Sequence, residues 1–309
     1  MIEILPFQKD HLADAAALFI QNFVRLRQQI PILPDHMTDP ASVMPKLDWL
    51  ITKYPSVVAL DKGRLVGYLG AMFLDHFRGT DRRAAYSPEW GHAALAGSKP
   101  DIYRSLYRAA SAHWSGCQVH AITLLSHDSE TEKTWFWNGF GLTVVDAIRS
   151  MAPIQNATSL TIRRATLDDV AILVTLEAEH WQHYSQPPVF MAASHAADAE
   201  AITELIEHHS AWLAFQGNDP VGYMRFEEAE TAVLESDTTI ANTGAYIRPA
   251  YRGQRVAVAL LNAALLHYTE RGFERCAVDF ESFNPEAATF WLKHFEPVCL
   301  SVLRVPERI

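Results

Sequence analysis

Residues Tyr246–Leu261 read YIRPAYRGQRVAVALL. The stretch starts as a strand, breaks at a Pro- and Gly-containing loop, and runs straight into a long helix. The first N–H groups of such a helix have no intrahelical partner. They point into the loop and carry the positive end of the helix dipole. A loop of this kind holds a phosphate or pyrophosphate without needing cationic side chains. Gly253, Val256 and Ala257 keep it uncluttered. Two other phosphate motifs fail. No GxGxxG follows a strand, and Gly91–Lys99 (GHAALAGSK) has Ala96 where a P-loop needs its second Gly.

Outward from this loop, the second half of the chain reads as βααβββαβαβ. A strand is expected at 160–164, with Asp168 capping a helix through Val170, Leu173, Val174 and Leu176. A second helix is expected at 196–209. Strands follow at 211–216 and 221–227, joined by Gly217-Asn218-Asp219-Pro220. Then come a strand at 240–248, a helix at 255–271 stopped by Gly272, a strand at 275–280, a helix at 285–294 and a strand at 298–305. Hairpins mixed with a βαβ crossover predict an α/β (α+β) sheet flanked by helices.

The first half repeats the plan. Ile4–Leu12 resembles Ile162–Val170, and Val66-Gly67-Tyr68 matches Val221-Gly222-Tyr223. Ala85-Tyr86 and Pro88 match Ala245-Tyr246 and Pro249, and Trp135-Phe136-Trp137 matches Phe290-Trp291. The common order carries the argument. The expected division is a domain at 1–151, a polar linker at 152–159 (APIQNATS) and a domain at 160–309.

The length of 309 residues suits two domains, and 49% hydrophobic with 20% charged residues suits a globular chain rather than a disordered one. A net charge of −10, from 26 basic and 36 acidic residues, argues against a general nucleic-acid binder. No apolar run reaches the ~20 residues a membrane span needs. MIEILPFQKDHL lacks the charge, apolar stretch and cleavage site of a secretory leader, and Cys117, Cys276 and Cys299 are too few and scattered for a disulfide framework or zinc cage. The expectation is a cytoplasmic protein, with no metal and no membrane or nucleic-acid partner. The sequence assigns no oligomeric state.

Two signatures then resemble the GCN5-related N-acetyltransferase (GNAT) superfamily. Ile247-Arg248-Pro249-Ala250-Tyr251-Arg252, leading into Gly253-Gln254-Arg255-Val256-Ala257, looks like its acyl-CoA motif. Asn284-Pro285-Glu286-Ala287 with Phe290-Trp291 looks like its second signature, in the right order and at a suitable distance. The resemblance implies two tandem acyl-CoA N-acyltransferase domains, each a mixed, largely antiparallel sheet flanked by helices. The architecture is similar to that of the family's tandem enzymes such as mycothiol synthase, in which the N-terminal copy is degenerate. It implies acetyl-CoA as cofactor and a primary amine of a small molecule or peptide as acceptor. The alternatives are a CoA-binding or regulatory protein that has lost turnover, and an acyltransferase with a different acyl chain or acceptor.

The resemblance also implies roles. Backbone N–H groups of Gly253, Gln254, Arg255, Val256, Ala257 and Val258 would cradle the pyrophosphate, flanked by Arg248 and Arg252. The strand at Ile247 would bond the pantetheine arm, splayed from the strand at 275–280. Asn284 would contact the arm or fix its loop, and it also reads as a plain helix cap before Pro285. The family usually has Gly where Arg255 stands. A positive φ there costs on the order of 1 kcal/mol; the expectation is a helical backbone, leaving the guanidinium for a phosphate oxygen. In the first half no such motif appears. Glu89 would repel a phosphate, Ser129 sits near the place of Asn284, and no productive CoA binding is expected.

Acyl transfer to an amine needs a base, an oxyanion donor and an exit for the thiolate. Asp279 and Glu281 alternate by two and share a strand face. Glu281, nearer the expected acyl position, reads as the base or as a solvated strand-end carboxylate. Glu235 and Asp237 are further carboxylate candidates. Tyr246 reads as a proton-handling group or as core. Trp291 stands where the family often has a Tyr acid, and indole cannot serve as an acid. The run Glu177–Tyr184 (EAEHWQHY) offers acidic and aromatic groups for a cationic amine, or ordinary helix-end packing. No HExxH accompanies His180 and His183.

Overall fold

The computed structural model describes residues 2–155, 159–192 and 198–307. In chain order the first elements are β1 (Ile2–Pro6), α1 (Leu12–Gln29), α2 (Pro40–Lys53), β2 (Ser56–Asp61), β3 (Arg64–Gly70), β4 (Met72–Leu74), β5 (Ala84–Ser87) and β6 (His92–Ala94). Next come α3 (Lys99–Ala110), β7 (Val119–Leu125), α4 (Ser129–Trp137), β8 (Gly141–Ser150), β9 (Thr161–Arg164), α5 (Val170–Tyr184) and α6 (Ala199–His208). The rest are β10 (Ser210–Gln216), β11 (Asp219–Glu228), β12 (Thr239–Ile247), α7 (Val256–Thr269), β13 (Arg275–Glu281), α8 (Pro285–His294) and β14 (Glu296–Arg304).

The chain divides into two compact units, Met1–Asp146 with Glu296–Ile309, and Ala147–Phe295. In the first, β1-β2-β3-β6 form an antiparallel sheet. A second run pairs β4 with β5 antiparallel, β5 with β7 parallel, and β7 with β14 antiparallel. The strand grouped by sequence with the domain 160–309 therefore closes the first unit, with Cys299–Arg304 opposite Leu125–His120. Alternation makes a segment a strand, but its pairing edge is set by tertiary packing. Of the expected linker, residues 156–158 lie outside the described residues.

The second unit is ordered β9-β10-β11-β12-β13, antiparallel except for β12 with β13. Side chains alternate across β11. Tyr223 faces α5 and α6 in a core with Leu173, Leu176, Ile202, Leu205 and Tyr246. Phe226 packs against Tyr268 of α7, so the helices cover opposite faces. The helix expected at 196–209 is α6, and its expected first residues 196 and 197 lie outside the described residues.

Asp168 does not make the expected cap. Thr166 and Asp169 form a reciprocal capping box at the 3-10 turn Leu167–Asp169. Arg163 adds two bonds of 2.7 Å to the Asp169 carboxylate. These bonds hold Asp169 down at about 2. A depressed carboxylate stabilises the fold above its unfolded value, and the contribution is lost as pH falls toward 2. Asp169→Ala is expected to cost about 1–2 kcal/mol at pH 7, discounted for the exposure of Arg163. Urea unfolding of both proteins checks this, and the difference should shrink near pH 2.

Candidate functional site

β12 and β13 pair in parallel only over Thr239–Asn242 and Arg275–Val278. Past that point β12 runs on to Ile247 against β11 alone. The register steps from Phe226–Asn242 to Arg225–Gly244, which leaves Thr243 as a bulge residue. A bulge bends its strand and re-aims the residues after it. The two strands part here, and an extended amide chain could add to the free edge of β12 in β-fashion.

The loop after β12 closes the outer end of this slot. The Arg248 N–H donates to the Val221 carbonyl at 2.9 Å, and Pro249–Tyr251 make one 3-10 turn. Gly253 has φ +75°, a left-handed backbone that glycine adopts without strain. The first bond of α7 runs from the Ala259 N–H to the Arg255 carbonyl at 3.0 Å. The N–H groups of Val256, Ala257 and Val258 thus precede the helical ladder.

Cationic side chains of the loop are committed to the protein. Arg248 grips Glu179 through Nε at 3.0 Å and Nη2 at 2.8 Å, and reaches Asp219 at 3.0 Å. Arg252 donates to the Ile247 carbonyl and to Glu286, each at 3.0 Å. Gln254 returns to the Ala250 carbonyl at 2.9 Å. The expected helical backbone at Arg255 is not found. Its φ is 63° and ψ 17°, left-handed, and its guanidinium donates to the Gln155 carbonyl. The cost is about 1 kcal/mol, because the chain must reverse at this point before α7 can start. What the loop offers an anion is backbone N–H groups and the helix dipole.

Asn284 is buried as the N-cap of α8, its Oδ1 accepting the Ala287 N–H at 3.3 Å and its own N–H donating to the Glu281 carbonyl at 3.0 Å. It therefore ties the helix start to the end of β13, beside Glu281. Trp291 packs edge-on against Phe295 at 5.3 Å and is core.

Asp279 and Glu281 stand beside the slot with Tyr184 of α5. Crowding by protein, then the Glu281 charge, raises Asp279 to about 6. Its side chain keeps contact with solvent, so it can exchange protons near neutral pH. Burial, then Glu281 and Asp279, drives the Tyr184 hydroxyl far above the usual range. Tyr246 is not beside these carboxylates in the same sense. Its ring stacks on His180 at 5.6 Å within the core, and burial, then Glu179, raises its hydroxyl.

Behind the slot Glu177 and His180, from the run 177–184 offered as an acceptor site, join Tyr223, Arg225 and Thr243, which the sequence did not single out. Tyr223 donates to Glu177 Oε1 at 2.6 Å and accepts from His180 Nδ1 at 2.8 Å. Arg225 reaches the same Glu177 oxygen at 3.3 Å and places Nε and Nη2 each 3.2 Å from the Thr243 carbonyl. Thr243 donates its hydroxyl to Glu227. This braces the bulge. A Cβ on Gly244 would lie 2.7 Å from Arg225 Nε, so glycine there lets the Arg225 side chain lie against the strand. Burial, then the Arg225 charge, lowers His180 to about 3, which keeps it neutral. The spacing Glu177, His180, Tyr184 marks one helix face, and Tyr223 with Arg225 marks one strand face. Those two spacings are the signal that could have found the group.

Among the described residues no three His, Cys, Asp or Glu side chains are placed to hold a metal ion. No helix among them is long and apolar enough to cross a membrane.

A model of the acetyltransferase (GNAT) family matches residues 173–295. A GCN5-related N-acetyltransferase from Sphaerobacter thermophilus superposes with a TM-score of 0.58 at 12% identity, over 100% of this chain and 97% of that one. A tandem GNAT protein from the clavulanic acid biosynthesis pathway gives 0.50 at 12% identity, over 100% of both chains. The GCN5-related glucosamine N-acetyltransferase region of a fungal multidomain GH3 β-N-acetylglucosaminidase gives 0.57 at 10% identity over 98% of this chain, which spans only 38% of that protein. At these identities the likeness is one of fold. No curated protein matches the sequence.

Proposed function

We propose that this chain is a tandem GNAT protein that transfers an acetyl group from acetyl-CoA to a primary amine of a small molecule or peptide in its second unit. The supporting observation is a junction: the slot between β12 and β13 opens at one end onto the left-handed turn and start of α7. The slot suits the amide arm, and the helix start suits the pyrophosphate.

In this reading acetyl-CoA supplies an activated thioester, and the residues do the rest. Backbone N–H groups from Gly253 to Val258 hold the phosphates. The edge of β12 near Ile247 aligns the arm and offers an N–H to the developing oxyanion. Arg248, Arg252, Gln254 and Arg255 shape the loop through their protein contacts. Asn284 keeps α8 on the end of β13. Glu281 takes the proton of the attacking amine, directly or through water. Asp279 and Tyr184 form the wall that receives a cationic amine. Tyr246 supports that wall from the core. With Trp291 in the core, this chain assigns no acid to the thiolate, which would take its proton from water.

Isothermal titration with acetyl-CoA, followed by thiol release over a panel of amines, tests the reading. Absence of binding at millimolar cofactor rejects it. Binding without thiol release selects instead a CoA-binding protein without turnover, a role that the buried Trp291 would suit.

A pH profile follows from Asp279. Raised to about 6, it is neutral below that pH and anionic above it. At saturating acetyl-CoA, kcat/KM for the amine is expected to rise about tenfold per pH unit below 6 and to bend near 6. Asp279→Asn is expected to remove the bend.

A further inference from the structure

The first unit repeats the slot and then fills it. β5 and β7 pair in parallel over Ala84–Ser87 and Val119–Ile122. Beyond them β6 pairs with β3 and not with β7, so the strands part as β12 and β13 do. Here the gap holds an imidazole. His92 of β6 lies 2.9 Å through Nε2 from the Thr123 carbonyl of β7, and 3.0 Å through Nδ1 from the Tyr103 hydroxyl. A carbonyl only accepts, so Nε2 carries the hydrogen and Nδ1 accepts a hydrogen bond from the Tyr103 hydroxyl. Both nitrogens are satisfied in a side chain only 5% exposed.

The helix start is filled as well. The loop before α3 is residues 95–98, against 248–255 before α7. The Gly97 N–H donates to Glu130 Oε2 at 2.9 Å, and the Lys99 N–H to Glu130 Oε1 at 3.1 Å. One carboxylate thus spans two N–H groups at the positive end of the dipole. Pro100 removes a further N–H there, and Asp101 adds a negative charge to the first turn. The Lys99 ammonium, 3% exposed, is bound to Asp128 and, at 3.1 Å, to Thr131.

The second unit shows what changed. Asp128 caps α4 as Asn284 caps α8, each accepting an N–H three residues on. By this geometry Asp128, not Ser129, stands in the place of Asn284. Glu130 then corresponds to Glu286, which turns instead toward Arg252 and His183. The carboxylate bonded at the helix start of the first unit is that of Glu130 rather than Glu89.

We infer that Glu130 and His92 take, inside the first unit, the places that a phosphate and an amide arm would take in the second. The first unit is closed by its own side chains, and the chain accepts one acyl-CoA. The statement about the second unit rests on the function proposed above; the closure of the first does not.

Residue-resolved amide hydrogen exchange with calorimetry tests this. In the unliganded chain the N–H groups of Gly97 and Lys99 are expected to be protected. Acetyl-CoA is expected to protect 256–258, to leave 97 and 99 unchanged, and to saturate at one equivalent. Glu130→Ala is expected to speed exchange at 97 and 99 at least tenfold. Glu130→Gln, which keeps the size but one acceptor oxygen, should fall between, and it serves where the alanine variant does not fold. Cofactor-dependent protection at 97 and 99, or a second equivalent of acetyl-CoA bound by the wild type, overturns the inference. So does unchanged exchange in both Glu130 variants. If the wild type binds no acetyl-CoA, the function proposed for the second unit fails, while the contrast between wild type and Glu130 variants still decides the closure of the first.

Discussion

Ala257→Trp is expected to weaken acetyl-CoA binding at least about 100-fold, equivalent to about 3 kcal/mol. Ala257 is the second residue of α7, half-buried, with its N–H ahead of the helical ladder. A methyl group leaves room for a phosphate over that N–H. An indole covers the donor and its neighbours, and the phosphates lose both hydrogen bonds and the approach to the dipole. The helix itself tolerates Trp at a cost below about 1 kcal/mol, so the melting temperature should stay close to wild type. Calorimetry with a parallel thermal melt separates these effects. Affinity within threefold of wild type would place the phosphates elsewhere.

Glu281→Gln is expected to lower kcat about 100- to 1,000-fold, the range removed with a general base, with KM for acetyl-CoA unchanged. Glu281 lies at the end of β13, where the Asn284 N–H bonds its carbonyl, so its position is fixed by backbone and not by a flexible loop. Gln keeps the shape and loses the proton acceptor. Steady-state kinetics with both substrates varied checks the assignment. A kcat within threefold of wild type transfers the base role to Asp279. Tyr246→Phe is the useful companion, because its ring is held by the His180 stack. A retained kcat there identifies the residue as support; a loss comparable to that of Glu281→Gln assigns its hydroxyl to proton handling.

The strand–loop–helix course from Tyr246 to Leu261 was legible because Pro249, Gly253 and the run from Val256 constrain the backbone locally. The shared face of Asp279 and Glu281 was legible because strand periodicity is two. Arg255 was not, since residue type does not report φ when the chain has a reason to reverse. Nor was the true cap at 166–169, where Asp168 and Asp169 compete and only the position of Arg163 decides between them. The shared helix face of Glu177 and His180 and the shared strand face of Tyr223 and Arg225 are legible, but that the two faces meet depends on α5 and β11 packing together. Glu130 was hidden for the same reason: a Glu in a first helical turn is common, and its partners lie on a different loop.

The pairing of β14 with β7 sets an order of events during synthesis. A domain ordinarily folds as its own residues leave the ribosome. Here the sheet of the first unit waits for residues 296–304, so its β7 edge stays bare until those residues have been made. Such an edge invites strand addition from other chains. A chain stopped after Phe295 would therefore keep every residue proposed for the slot and lack β14, so that the part made first is the unfinished one.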